Sequence, residues 1–156
     1  MPVRHDTIVV TRHVDAAPDR VFAAFTDPEI LKRWMKAPGA GATRAFDPRV
    51  GSGDLLTAVF THPDGRVERV ASATRYIELR PGQRVVYQYA SSIDDVTRWT
   101  SLVTVELSPA DEGTDLTWTE QVAFLVPTDP TGQVDIDHLA GAIRLRLNGL
   151  PALLAG

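Results

Sequence analysis

No cysteine occurs anywhere in the chain. That excludes a disulfide framework, a thiol nucleophile and a thiolate metal site, and it suits a reducing compartment such as the cytoplasm. Long apolar runs are missing as well: no stretch approaches the roughly eighteen apolar residues of a membrane-crossing helix. Residues 1–14 alternate charged and apolar side chains, so no secretory signal is expected there. Basic residues do not dominate, with 16 Lys and Arg against 20 Asp and Glu and a net charge of −4. A nucleic-acid partner, which needs clustered positive charge, is therefore not expected. Repeats and low-complexity tracts are absent too, and 156 residues predict one domain over 1–156.

Motifs for chemistry are equally scarce. His5, His13, His62 and His138 show neither H-x-H nor H-E-x-x-H spacing, so neither a metal nor any other cofactor is expected. No G-x-S-x-G elbow is present, and Ser72 and Ser101 fall in strand-like stretches without an evident base. Gly39-Ala40-Gly41 and Gly51-Ser52-Gly53 lack the strand-to-helix setting of a phosphate loop and read as turns. Asp47 and Arg49, two apart around Pro48, read as a turn-stabilising pair. No catalytic residue is assigned on these grounds.

What is present is a pattern. In residues 134–155, Ile136, Leu139, Ile143, Leu147, Leu150 and Leu154 recur at steps of three and four, the apolar stripe of a long helix. Asp135 is placed to cap its start, and Arg144 and Arg146 fall toward its negative end. Pro151 follows Gly149, lacks an amide and would clash with the Leu147 carbonyl, so the helix is expected to kink or stop near Asn148. Residues 7–15 alternate as a strand, with Ile8, Val10 and Val14 on one face. Pro18 opens one short helix carrying Val21, Phe22 and Phe25. Asp27 and Pro28 open a second, which buries Ile30, Leu31 and Trp34 and ends at Pro38-Gly39. Strands are predicted over 43–46, 54–62, 67–79, 84–90, 98–107 and 115–125, with a polar loop at 91–96. Short turns between so many strands make an antiparallel sheet, an α+β arrangement with one long helix to cover it.

The residues also carry a resemblance. Val14-Asp15-Ala16-Ala17-Pro18, then Val21-Phe22 and Thr26-Asp27-Pro28-Glu29 with Leu31 and Trp34, resembles the opening of START-like (SRPBCC) domains. Phe46-Asp47-Pro48-Arg49-Val50-Gly51, Tyr76-Ile77-Glu78, Val85-Val86-Tyr87 and the run from Gly113 to Gln121 resemble one branch of them. That branch is named for homology to the activator of the heat-shock protein 90 ATPase. The likeness runs from Ile8 to Leu125, and the C-terminal helix matches by position. It implies a helix-grip fold, a curved antiparallel sheet wrapped around the long C-terminal helix, with two short helices after the first strand. Segment 126–134 departs from the common pattern, placing Pro127 and Pro130 where relatives often have acidic and glycine residues. The fold hosts lipid carriers, polyketide cyclases, hormone receptors and co-chaperone modules, so it does not fix the function.

A sheet gripping a helix implies a cavity, and its wall can be anticipated from strand parity. Glu120 shares a face with Leu116, Trp118, Val122 and Phe124; turned inward it is desolvated, which favours acid or base work, unless Arg75 or Arg98 pairs with it. The expected ligand-binding set is Trp34, Phe46, Tyr89, Trp99, Trp118 and Glu120, with His138, Leu139 and Ile143 from the long helix. Three functions follow. The first is binding of a small hydrophobic or aromatic molecule in the cavity. The second is a co-chaperone-like module that binds or stimulates a heat-shock ATPase. The third is a cyclase- or aromatase-like enzyme using Glu120. Edge strands leave a homodimer open without specifying one.

Overall fold

Alternation of apolar and polar side chains, sustained over seven segments, is what builds this molecule. The computed structural model describes residues 1–36 and 39–155. In chain order the elements are β1 (Arg4–Val14), α1 (Pro18–Thr26), α2 (Pro28–Trp34), β2 (Ala40–Phe46) and β3 (Gly53–Thr61). They continue with β4 (Val67–Arg80), β5 (Arg84–Ile93), β6 (Val96–Ala110), β7 (Gly113–Phe124) and α3 (Gln133–Leu154). The strands form one antiparallel sheet in the order β1-β7-β6-β5-β4-β3-β2. Every neighbour but one follows in sequence; the exception brings β1 back against β7 after α1 and α2 have been placed. This is the helix-grip arrangement: a curved sheet whose concave face meets α3.

The inner face is set by parity. On β6 Ser101, Val103, Val105 and Leu107 are buried, and on β7 Leu116, Trp118, Glu120, Val122 and Phe124 are, while their neighbours lie outside or at the margin. The stripe of α3, Ile136, Leu139, Ala140, Ile143, Leu147, Leu150 and Leu154, packs into the same core. The helix lies against β1 and α2. The α1–α2 pair is clasped by Phe25 and Trp34, whose rings meet edge to face at 5.1 Å, and Trp34 Nε1 donates to the Ala24 carbonyl at 2.8 Å. As expected, Asp27 caps α2, accepting from the Glu29 amide at 2.8 Å. The helix ends at Trp34 with Met35 as its C-cap, ahead of the expected stop at Pro38-Gly39, of which Pro38, like Ala37, lies outside the described residues.

Three local expectations are corrected. The polar stretch 91–96 is not a loop: β5 runs to Ile93, β6 starts at Val96, and Asp94-Asp95 alone make the turn at φ 49° and 65°. Paired positive φ values are what a two-residue hairpin turn demands, and aspartate tolerates them. Arg69 supports the turn, its amide and guanidinium reaching Asp94 Oδ1 and Asp95 Oδ2. Asp135 does not cap α3. The helix begins at Gln133 after a left-handed Gly132, and Asp129 accepts from the amides of Thr131, Gly132 and Val134. Asp135 instead anchors the preceding loop, accepting from the Thr128 amide and hydroxyl at 2.7 Å each. A side chain at position 132 would meet the Arg4 stem at 2.6 Å, so glycine there serves both backbone and packing.

Pro151 does not break α3 either, which continues to Leu154. The cost is confined to the last turn, where the Leu147 carbonyl loses its usual donor. Tertiary contact outweighs it: Leu150 and Leu154 are buried on either side of the proline, and Arg20 Nε donates to the Leu154 carbonyl at 3.0 Å. Among the described residues no helix is long and apolar enough to cross a membrane.

Candidate functional site

Between the concave face and α3 the packing leaves a cavity of about 780 Å³. Its wall follows the two periodicities of the elements that build it. From α3 come Asp135, His138, Leu139, Ala142 and Arg146, one face of a helix. From the sheet come alternate residues: Leu56, Ala58 and Phe60 on β3, Ser72, Thr74 and Tyr76 on β4, and Tyr87, Tyr89 and Ser91 on β5. Trp99, Phe124, Phe25 and Met35 close the remaining sides. A second, more open depression of about 710 Å³ lies on other surface, lined by His5, Thr7, Gln88, Thr100 and Gln121 without a Phe, Tyr or Trp.

A hydrogen-bond chain runs from the aromatic wall to a buried carboxylate behind it. Trp99 Nε1 donates to the Tyr89 hydroxyl at 3.1 Å, and that hydroxyl donates in turn to Glu120 Oε1. Trp118 Nε1 supplies the other carboxylate oxygen, Oε2, at 3.1 Å. Glu120 is only 1% exposed, and each of its oxygens has a donor. The alternative, a pairing with Arg75 or Arg98, does not occur. Inner residues of β4 are even-numbered and those of β6 odd-numbered, which puts both arginines on the opposite face. Burial, and next the Glu120 charge, raise the Tyr89 phenol above its usual value, so Tyr89 stays a donor.

The remaining charges in the wall are mostly paired. Arg44 Nε meets Asp54 Oδ1 at 3.1 Å, and Arg44 Nη2 also donates to the Met35 carbonyl at 2.7 Å. Burial raises the Asp54 carboxyl, and Arg44 pulls it back only in part. His62 Nε2 lies 3.1 Å from Glu68 Oε2. Tyr76 and Tyr87 are raised above the usual phenol range, chiefly by burial. Among the described residues no group of three or more His, Asp or Glu side chains is arranged to hold a metal ion.

Of the residues expected at the site, Tyr89, Trp99, His138 and Leu139 line the cavity. Trp118 and Glu120 lie one layer back, holding Tyr89 in place. Ile143 is buried in the core on the neighbouring stripe of α3. Trp34 packs on Phe25, and Phe46 sits behind Tyr76 at 6.2 Å between ring centroids. Sequence reasoning missed Arg44, Asp54, Glu68 and Arg146. The signal for Arg146 was available, since positions 139, 142 and 146 repeat one helical face; reading it as a helix-end cation hid that.

Proteins similar to this chain bear on the fold and the family. A protein from Rhizobium leguminosarum is 25% identical over 99% of this chain and 97% of its own, with a TM-score of 0.77. Mll3558 from Rhizobium loti is 34% identical over 98% of this chain and 99% of its own, with a TM-score of 0.75. DynU16, a protein of the dynemicin biosynthetic locus, shares the fold at 19% identity and a TM-score of 0.65, covering 96% of this chain and 47% of that one. No protein with a curated description matches. The family model described as activator of Hsp90 ATPase homolog 1-like protein matches residues 15–143.

Proposed function

The chain belongs to the activator of Hsp90 ATPase homolog 1-like family, and from that membership together with its cavity we propose that residues 1–156 act as one domain that binds a small hydrophobic or aromatic molecule. The observation that carries this reading is the cavity itself, about 780 Å³ walled by Phe25, Tyr76, Tyr87, Tyr89, Trp99 and Phe124. Small-molecule sites have this make-up, mostly apolar with a few fixed polar groups, and fall within this size range. Tyr89, Trp99, His138 and Leu139 are the contacts from the expected set; Trp118 and Glu120 serve by orienting Tyr89. The absence of cysteine suits work in the cytoplasm.

Native mass spectrometry of the purified protein, set against its denatured mass, tests the reading. A non-covalent extra mass, or quenching of tryptophan fluorescence by added apolar aromatics through Trp99, is the expected result. An unliganded mass together with no response to such a panel overturns it. The family description also motivates a second reading, a module that binds or stimulates a heat-shock ATPase; stimulation in a mixed ATPase assay with an empty cavity would select it. Cyclase-type catalysis draws no support from Glu120, which stands behind Tyr89 with both oxygens engaged.

A further inference from the structure

The polar groups of the cavity divide into those already satisfied and those still open, and the difference names a ligand class, given that the cavity holds a ligand at all. Arg44 is taken by Asp54, Glu68 by His62, Asp135 by Thr128, and Tyr89 by Glu120. Among the described residues several donors are still open, Lys36, Ser72, Thr74, Ser91 and His138 included, and two stand out: one for the fork geometry of its charge, the other for its burial. Arg146 lines the cavity and, among the described residues, has no hydrogen bond or ion pair. Tyr87 is 9% exposed, its ring wedged edge-on between Tyr76 and Trp118, yet its hydroxyl has no partner among the described residues. That hydroxyl is not sealed in protein either. Among the described residues Ser101 Oγ is the fully enclosed side-chain atom without a hydrogen-bond partner, so the Tyr87 oxygen opens on the cavity whose wall it forms. The two donors line one cavity, Tyr87 from the sheet and Arg146 from α3.

A hydroxyl on a residue nine-tenths buried, with no acceptor from the protein, is costly unless something in the cavity supplies one. The guanidinium of Arg146, in the same wall and reaching solvent, is free to pair with an acceptor that carries negative charge. We propose that the ligand is a monocarboxylate with an apolar, aromatic body. Its carboxylate accepts from the fork of Arg146 and from the Tyr87 hydroxyl, and its body lies along α3 past Ala142 to Leu139 and Trp99. A guanidinium matches the two oxygens of a carboxylate geometrically as well as by charge. Seven residues of helix from Arg146 to Leu139 span about 10 Å at the helical rise, room for a fused two-ring body. One negative charge, not two, fits a wall that already contains Asp54 and Asp135. Lys36, exposed in the same wall, adds a second cation without the fork geometry of a guanidinium.

The experiment uses the full chain and three probes followed by calorimetry: 2-naphthylacetate, its neutral amide 2-naphthylacetamide, and uncharged N-phenyl-1-naphthylamine. The expected result is that the acid binds about tenfold more tightly than the amide at low salt, as a charge-assisted pair supplies. Arg146→Gln should erase that preference, Arg146→Lys should keep part of it, and Tyr87→Phe should weaken the acid several-fold. Arg146 is exposed on α3, so its variants fold, which an unchanged melting temperature verifies. Equal binding of acid and amide, or a preference that survives Arg146→Gln, overturns the carboxylate assignment. If N-phenyl-1-naphthylamine binds and the acid does not, the assignment falls while the cavity reading stands. If none of the three binds, both fall.

Discussion

At the scale of single residues the decisive group is Glu120. A carboxylate that is 1% exposed survives because Tyr89 and Trp118 each aim a donor at one of its oxygens. Glu120→Gln keeps the shape but turns an amide nitrogen toward one of two donors, and the indole N–H of Trp118 can only donate. Urea denaturation should show a loss of about 1–2 kcal/mol, the cost of one mismatched buried hydrogen bond. Intact stability with lost ligand binding would instead make Glu120 a ligand contact. Parity in β7 made the inward direction of Glu120 legible in the sequence. Its partners were not legible, because naming them requires the register that sets Val103 opposite Glu120 and Tyr87 opposite Val103, which brings Tyr89 and Trp118 within reach. Arg75 and Arg98 attract attention by charge alone, yet their own strand parity turns them away.

At the scale of elements, period-two and period-three-to-four patterns placed every strand and helix, and the errors gathered at their ends. Asp94 and Asp95 are polar enough to read as loop, although two positive φ values make them a hairpin turn. Pro151 obeys the rule that it removes an amide and still sits inside α3, because Leu150, Leu154 and Arg20 hold the last turn. Pro151→Ala restores a donor to the Leu147 carbonyl; offset by the freer unfolded chain, it should stabilise by about 1 kcal/mol. A denaturation midpoint that falls would mean the proline shapes the packing of Leu153 and Leu154. The β1–β7 pairing carries a pH dependence. His13 Nδ1 lies 2.9 Å from Asp115 and Nε2 3.2 Å from Asp15. The hydrogen bond to Asp115 raises the folded imidazole, partly against desolvation, and the two carboxylate charges add to it. The protonated form is therefore favoured by folding. Its stabilisation is complete below the unfolded value and lost as pH rises through the folded one. Melting temperatures compared at about pH 6 and about pH 8 should differ less in His13→Gln than in the parent.

For the whole molecule the question is why α3 does not settle fully onto the sheet. The helix is held at β1 and α2 and by the Asp129 and Asp135 anchors of its entry loop, while the middle strands β3 to β5 face the gap. Tyr76 from β4 and Tyr87 and Tyr89 from β5 stand in the wall of that gap, and the Arg44–Asp54 pair lies in the same wall. Sequence pattern revealed the layers, and with the family resemblance it revealed that they enclose a space. Which side chains share that space depended on contacts between residues far apart in the chain, so Arg146 and Asp54 escaped notice. A gap kept open this way leaves apolar surface unfilled, and a ligand that fills it stabilises the folded state by mass action. At a hundred times its dissociation constant that amounts to about 2.7 kcal/mol, or roughly 5–10 °C in melting temperature for a chain of this size. Ala142 stands in the cavity wall on α3 and is half-buried. Ala142→Trp therefore fills the gap from the helix side. The variant should melt at or above the parent temperature, since it covers unfilled apolar surface, and the ligand-induced rise should vanish. A variant that melts lower and still responds to ligand would place the ligand elsewhere, and the open depression lined by Thr7, Thr100 and Gln121 would be the next surface to probe.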